Sequence, residues 1–306
     1  MPAPVPERDR DVYFVGAGLS CALGLPNTPS LLEEILALAG RTQWLQSKEL
    51  PRRVRDAIRY FYPDGTIPGF RPDVVDFFSA LRTYIDVGAG LVGGFKDAAA
   101  LFRDLKFAIA HLLVERIRAV DQGLSEGHDY LDQVVRPGNI VTTSNWDLVI
   151  ERYAHLKNTP LRYSGNRETE LVLLKLHGSI DWCLGADRAG YPDGDYAALT
   201  EQVFSARPYR RRVPKAANTI VRVRAMESWS DAWRKIKSRA DELFMVTMAR
   251  GKSGDLGPLI GIWKDAYAAL SRARVLEIVG YSMPPDDIEI RTLLRAGAQR
   301  GGGPRG

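Results

Sequence analysis

The chain of 306 residues is 45% hydrophobic and 26% charged, with a formal net charge of +5 and only two cysteines. That length buries a sizeable core in one large domain or two, and Cys21 and Cys183 exclude both a disulfide framework and a four-ligand zinc site. No apolar run is long enough to span a bilayer, and Met1 to Asp11 is Pro-rich and charged, unlike a signal sequence. A cytoplasmic chain without membrane association is therefore expected. The mildly basic balance admits an anionic ligand or nucleic acid and demands neither.

In chain order, Val12-Tyr13-Phe14-Val15 is a short apolar run stopped by glycine, which predicts a buried strand. Thr28-Pro29 predicts a helix start, with Thr28 as cap, Pro29 at the first helical position, and Leu31, Leu32, Ile35 and Leu36 at helical spacing up to Gly40. Residues 44–135 read as a helical insertion, broken by a loop at Pro63 to Pro72 and by glycines from Gly88 to Gly94. Leu101, Leu105, Ile109, Leu112, Leu113 and Ile117 form one apolar stripe within it. Asn139 to Thr143 predicts a second strand, Trp146 to His155 a helix, and Leu171 to Leu176 a third strand.

Residues 183–255 read as a long excursion, rich in Gly, Pro, Asp and Arg at first and helical from Ser228 to Arg250. A helix over Gly257 to Arg272, the strand Val275 to Val279 and a helix over Asp286 to Ala298 follow, ahead of a glycine-rich tail expected to be disordered. Strands alternating with helices predict an α/β fold with a doubly wound parallel sheet. The expected organisation is one domain over 1–306, carrying the 44–135 insertion and the 183–255 excursion. Arg207, Arg210, Arg211, Arg212, Lys215, Arg222 and Arg224 cluster with Tyr209. They read first as a solvated loop, and no nucleic-acid motif accompanies them.

Four segments at predicted strand ends carry polar or glycine-rich chemistry, and a parallel sheet gathers such ends at one edge. Gly16 and Gly18 permit close backbone approach, and amides at a helix start attract phosphate. The dehydrogenase glycine fingerprint is excluded, because its third glycine falls at Cys21. In Thr143-Ser144-Asn145-Trp146-Asp147, Asn145 reads either as a ligand contact or as a helix cap, and Asp147 as a favourable charge at a helix N-terminus. Among the four histidines, His177 alone follows a buried strand and precedes glycine, where a neutral imidazole serves as general base. His111 reads as structural, and His128 and His155 as solvated. In Gly280-Tyr281-Ser282-Met283-Pro284, Ser282 is the polar candidate, with a helix-start turn as the competing reading.

Taken together, the run Gly16-Ala17-Gly18-Leu19-Ser20 through Gly24-Leu25-Pro26, the T-x-N-x-D segment, Leu176-His177-Gly178-Ser179-Ile180-Asp181-Trp182 and Gly280-Tyr281-Ser282-Met283 resemble the motifs of the SIR2 (sirtuin-like) family. They are most similar to its zinc-free NAD-consuming branch in prokaryotic antiviral defence. The resemblance implies a Rossmann-like sheet without a zinc-ribbon module, since the two C-x-x-C pairs of protein deacylases are absent. It implies NAD as substrate and no metal. Gly16, Ala17, Gly18, Ser20 and Pro26 would belong to a loop that closes over NAD. Ser144 would line the crevice, Asn145 would hold a ribose hydroxyl or the attacking water, and Asp147 would shape the nicotinamide pocket. His177 would be the base, and Gly280 and Ser282 would meet the adenosine end, with Trp146 and Trp182 as apolar walls.

The same likeness implies homo-oligomers acting with a partner protein such as an ATPase, with apolar faces at Tyr60-Phe61-Tyr62 and at Val75, Phe77 and Phe78 as candidates for assembly. Departures are Pro26-Asn27-Thr28-Pro29 in place of the family's P-D-F-R, and no counterpart of its V-x-N-P strand before Gly306. Hydrolysis of NAD, transfer of its ADP-ribose or deacylation of lysine, and simple binding of NAD or ADP-ribose remain the three functional alternatives.

Overall fold

Short β-branched and apolar runs bounded by glycine and polar turns set the strands. The computed structural model describes residues 10–87, 95, 97–164, 168–185, 219–222, 243–247, 249 and 252–301. Its main sheet has five strands, all parallel: β1 (Asp11–Val15), β2 (Ile140–Thr143), β3 (Leu161–Arg162), β4 (Leu171–Lys175) and β8 (Val275–Val279), in the order β3-β4-β2-β1-β8. β2 and β4 are buried along their whole length, down to the threonines that end β2 and the lysine that ends β4. A second, antiparallel sheet has the order β6-β5-β7, from β5 (Gly178–Gly185), β6 (Thr219–Arg222) and β7 (Leu243–Met245).

Between β1 and β2 the chain is helical: α1 (Ala17–Ala22), α2 (Leu31–Ala39), α3 (Gln43–Ser47), α4 (Leu50–Phe61), α5 (Val74–Val87), α6 (Ala98–Glu126) and α7 (Asp129–Val134). α8 (Val149–Leu156), α9 (Ile260–Ser271) and α10 (Ile288–Gly301) complete the helices that flank the sheet. The stripe expected on α6 is the buried face: Leu101, Leu105, Ile109, Leu112, Leu113 and Ile117 are all buried. It packs with α2, α4 and α5 in the same hydrophobic core as the strands. Each fully buried side chain of this size contributes about 1.5–3 kcal/mol. Phe77 and Phe78 belong to this core, so only Tyr60 of the expected assembly residues is well exposed, at 44%. The insertion is also pinned to the sheet layer by ions: Arg152 of α8 holds Asp121 of α6 through two hydrogen bonds, at 2.6 and 2.8 Å.

Several local expectations give way to tertiary contacts. The first long helix begins at Leu31, because Asn27 Oδ1 accepts the Ser30 amide and closes a turn over residues 27–30; Thr28 does not cap and Pro29 precedes the helix. The helix expected from Trp146 begins at Val149, because Ile180 and Lys175 bond to the Trp146 and Asp147 carbonyls and hold that stretch in a loop. His128 is half-buried and caps α7, accepting the Leu131 amide on Nδ1, where a solvated side chain was expected.

The excursion starts later than its composition suggests, since residues 178–185 are a strand. Residues 243–245, within the helix expected over Ser228 to Arg250, form a strand paired with β5. The rest of that helix, the basic cluster apart from Arg222 and the tail beyond Gly301 lie outside the described residues. Among the described residues no helix is long and apolar enough to cross a membrane.

Candidate functional site

Register brings the four segments to one edge. Val15 of β1 pairs with Thr143 of β2 on one side and with Val279 of β8 on the other, and Thr143 pairs in turn with Lys175 of β4. Gly16 and Gly280 therefore leave the sheet one residue past neighbouring paired positions. Asn145 and His177 each leave two residues past theirs. Adjacent strands lie ~4.8 Å apart, so all four segments issue from one C-terminal edge.

The glycines meet each other there. The Gly16 amide donates to the Val279 carbonyl at 2.8 Å, and the Gly18 amide to the Gly280 carbonyl at 2.7 Å. Gly280 has φ +64°, and a Cβ on it would lie 2.3 Å from the Leu19 nitrogen; one on Gly16 would lie 2.5 Å from the Gly280 oxygen. Close backbone approach is the reason for these glycines, and the chain approached is their own β8 turn. Those two amides are thereby engaged within the protein. Gly280→Ala is expected to cost about 2–5 kcal/mol, summing a left-handed backbone penalty with overpacking. Urea unfolding checks it, and a loss below about 1 kcal/mol would mean the crossing relaxes.

Beside this crossing lies a polar network. Ser20, buried on α1, donates its hydroxyl to Asp147 Oδ2 at 2.7 Å and accepts from Asn145 Nδ2 at 3.2 Å. Asp147 Oδ1 accepts the Val149 amide at 3.0 Å, so Asp147 serves the start of α8 as well. Thr143 Oγ1 donates to the Val15 carbonyl at 2.7 Å and accepts the Asn145 amide at 3.0 Å. Asn145 is thus held from both ends of its residue, four positions ahead of the helix it was expected to cap.

Below it, Lys175 Nζ bonds to Glu151 Oε1 at 2.8 Å and to the Asp147 carbonyl, with both side chains of the pair buried. Leu19, Ser20, Thr143, Asn145, Asp147 and Lys175 are among the residues lining a cleft of about 240 Å³, counting its open mouth.

His177, two residues past Lys175, is not among the residues that line this cleft. It is 6% exposed, and its carbonyl accepts the Val246 amide at 2.9 Å. Its Nε2 lies 3.7 Å from Oδ1 of Asp287, whose Oδ2 accepts the Tyr281 hydroxyl at 2.9 Å. Burial, then the Asp287 charge, pushes the Tyr281 phenol far above its ordinary range, so it is a neutral donor. Its ring rests on Phe14 of β1, centroids 4.8 Å apart. The glycine after His177 is required by a close approach: a Cβ on Gly178, at φ +76°, would lie 2.5 Å from the Phe244 carbonyl of β7.

The remaining expected residues divide. Ser144 and Pro26 are half-buried nearby, whereas Ala17 and Ser282 are exposed. Trp146 is half-buried, with its indole nitrogen on the Val246 carbonyl at 3.0 Å. Trp182 is buried edge-on to Tyr163, a core contact. Desolvation, then the Asp147 charge, pushes the Cys21 thiol up, away from the nucleophilic thiolate. Sequence reasoning missed Glu151, Lys175, Tyr281 and Asp287. A lone lysine closing the apolar run Leu171-Val172-Leu173-Leu174 was the readable signal, because a buried cation requires partners. Among the described residues no group of three or more His, Cys, Asp or Glu could hold a metal ion. No family model and no curated protein matches the chain.

Proposed function

We propose that the chain is an NAD+ glycohydrolase of the SIR2-like kind, releasing nicotinamide and ADP-ribose. The observation that carries this reading is the hydrogen-bonded Asn145–Ser20–Asp147 group at the C-terminal edge of a parallel sheet, with His177 two residues past the adjoining strand. In this reading the five strands are a Rossmann-like, doubly wound core and residues 44–135 its helical insertion. The cleft is smaller than the ~300–1,000 Å³ that encloses a drug-sized ligand, so it takes the nicotinamide end and leaves the rest of the dinucleotide outside.

The chemistry asks little of the protein. The nicotinamide–ribose bond breaks with its electron pair going to the ring nitrogen, which is already cationic, so no general acid is needed. The ribose passes through an oxocarbenium-like state, as in other glycoside cleavage. Water then forms the new C–O bond at the ribose carbon and yields its proton to His177. Asn145 presents its carboxamide to the ribose hydroxyl or that water, held by Ser20. Asp147 and the hydrophobic wall of Leu19 and Val15 bound the nicotinamide side. Unregulated NAD cleavage would deplete the host cell, which fits a cytoplasmic effector of antiviral defence, gated by self-assembly and by a partner protein such as an ATPase.

Chromatography of NAD, nicotinamide and ADP-ribose after incubation, beside calorimetric NAD binding, tests the reading. Asn145→Ala is expected to bind NAD within about threefold of wild type and to cleave it at least tenfold more slowly, because a group acting on the water or the ribose cation contributes mainly in the transition state. Binding and cleavage lost in step would make Asn145 a ground-state contact. A wild-type chain that binds NAD without consuming it, at concentrations where it self-associates, would make the protein a binding module.

A further inference from the structure

We propose that Asp287, on the turn between β8 and α10, is the positioning residue of His177: its carboxylate orients the imidazole and favours the imidazolium that forms as the base takes its proton. The proposal rests on the hydrolase reading for its catalytic consequence, while the pairing itself is a property of the folded chain.

The arrangement is built by the turn that carries Asp287. Its amide donates to the Pro284 carbonyl at 3.1 Å and its carbonyl accepts the Arg291 amide at 3.1 Å, fixing the turn onto the start of α10. Its Oδ2 takes the Tyr281 hydroxyl at 2.9 Å, and Tyr281 is itself lodged against Phe14 of β1. Oδ1 faces His177 Nε2, with Asp287 only 7% exposed. At 3.7 Å the contact is an ion pair for a protonated ring and is long for a neutral one. Catalytic hydrogen bonds often lengthen in this way before substrate is bound. A nearby carboxylate stabilises the protonated imidazole, and a fixed one selects a single ring orientation.

Glu289 and Arg291 of α10 act on the Tyr281 side of Asp287, and the Arg291 guanidinium bonds to the Pro285 carbonyl at 3.4 Å. Lys175, two residues before His177, is turned to Glu151.

The test is a proton-NMR titration of the intact chain, with the His177 signal identified by its loss in His177→Gln, in wild type and in Asp287→Asn. Removing the negative charge destabilises the imidazolium, so the His177 titration is expected to move down by about one pH unit or more. In NAD cleavage the same variant is expected to lower kcat about 10–100-fold with KM within about threefold, and to move the acid limb of the kcat profile to lower pH by the same interval, because the base works deprotonated. Asp287→Glu keeps the charge one methylene farther out and is expected to retain the wild-type acid limb.

A folded Asp287→Asn chain whose His177 titrates at the wild-type pH overturns the pairing, and so does an Asp287→Glu limb displaced as far as that of Asp287→Asn. A His177 signal that shifts in Asp287→Asn, in a chain that cleaves no NAD, supports the pairing and overturns the hydrolase reading alone.

Discussion

Replacement of His177 by glutamine is expected to slow NAD cleavage by about 10²–10⁴-fold, the usual contribution of a positioned general base, with NAD binding nearly unchanged. Glutamine fills much of the imidazole volume and keeps a donor for Asp287, so the variant is expected to melt close to wild type. The other three histidines make the comparison sharp. His155 is exposed near the end of α8, His128 caps α7 through Nδ1, and His111 pairs with Glu115 one turn along α6 at 3.0 Å. Their substitution is expected to touch stability, or nothing, and never the chemical step. Single-turnover cleavage with saturating enzyme reads this directly, because it is blind to product release. Wild-type single-turnover rates in folded His177→Gln would remove the histidine from the mechanism, whatever became of Asp287.

The sheet edge was legible because period and burial coincide there. Val12 to Val15, Ile140 to Thr143, Leu171 to Lys175 and Val275 to Val279 are strands close to their predicted bounds, since each is a short β-branched or apolar run with a polar or glycine stop. The antiparallel sheet was harder to see. Ile180 and Trp182 alternate with Ser179 and Asp181 as a strand should, but all four are buried, so the usual polar-out signature is absent. β7 is only three residues long, and the helical reading from Ser228 ran on through Leu243 to Met245, with the helix formers Ala240 and Glu242 just before it. A pairing partner sixty residues away decides such a segment, and no local window holds that information.

The site shows the same division. Asn145, Asp147 and His177 stand out by residue type at strand ends. Ser20 was read as part of a glycine loop, yet its hydroxyl, more than 120 residues away in sequence from either, joins Asn145 to Asp147. Asp287 and Tyr281 were hidden in a turn whose proline and acidic residues look like an ordinary helix start.

Lys175→Met is expected to destabilise the protein by about 3–5 kcal/mol, the cost of breaking a buried ion pair from one side. The ammonium sits 2.8 Å from Glu151 Oε1, with the two side chains 1% and 2% exposed, and also bonds to the Asp147 carbonyl. Its removal leaves the Glu151 carboxylate buried with the Tyr163 hydroxyl, 3.3 Å from Oε1, as its remaining donor among these contacts. Methionine fills the space of the lysine stem, so the loss is electrostatic and not a cavity effect.

The double variant Lys175→Met with Glu151→Leu removes both charges, and it is expected to regain most of that stability, because a buried pair replaced by apolar groups of similar volume is often neutral or stabilising. Function separates the two roles of the lysine. The Asp147 carbonyl lies in the loop that carries Asn145, so the double variant is expected to cleave NAD more slowly than wild type even where its unfolding midpoint has recovered. Urea unfolding of the wild type, both singles and the double gives the coupling free energy of the pair. A coupling below about 1 kcal/mol would mean that water enters to solvate Glu151 once the lysine is gone. A stable double variant with wild-type turnover would mean that the loop holds Asn145 without the clamp, through Thr143 and Ser20 alone.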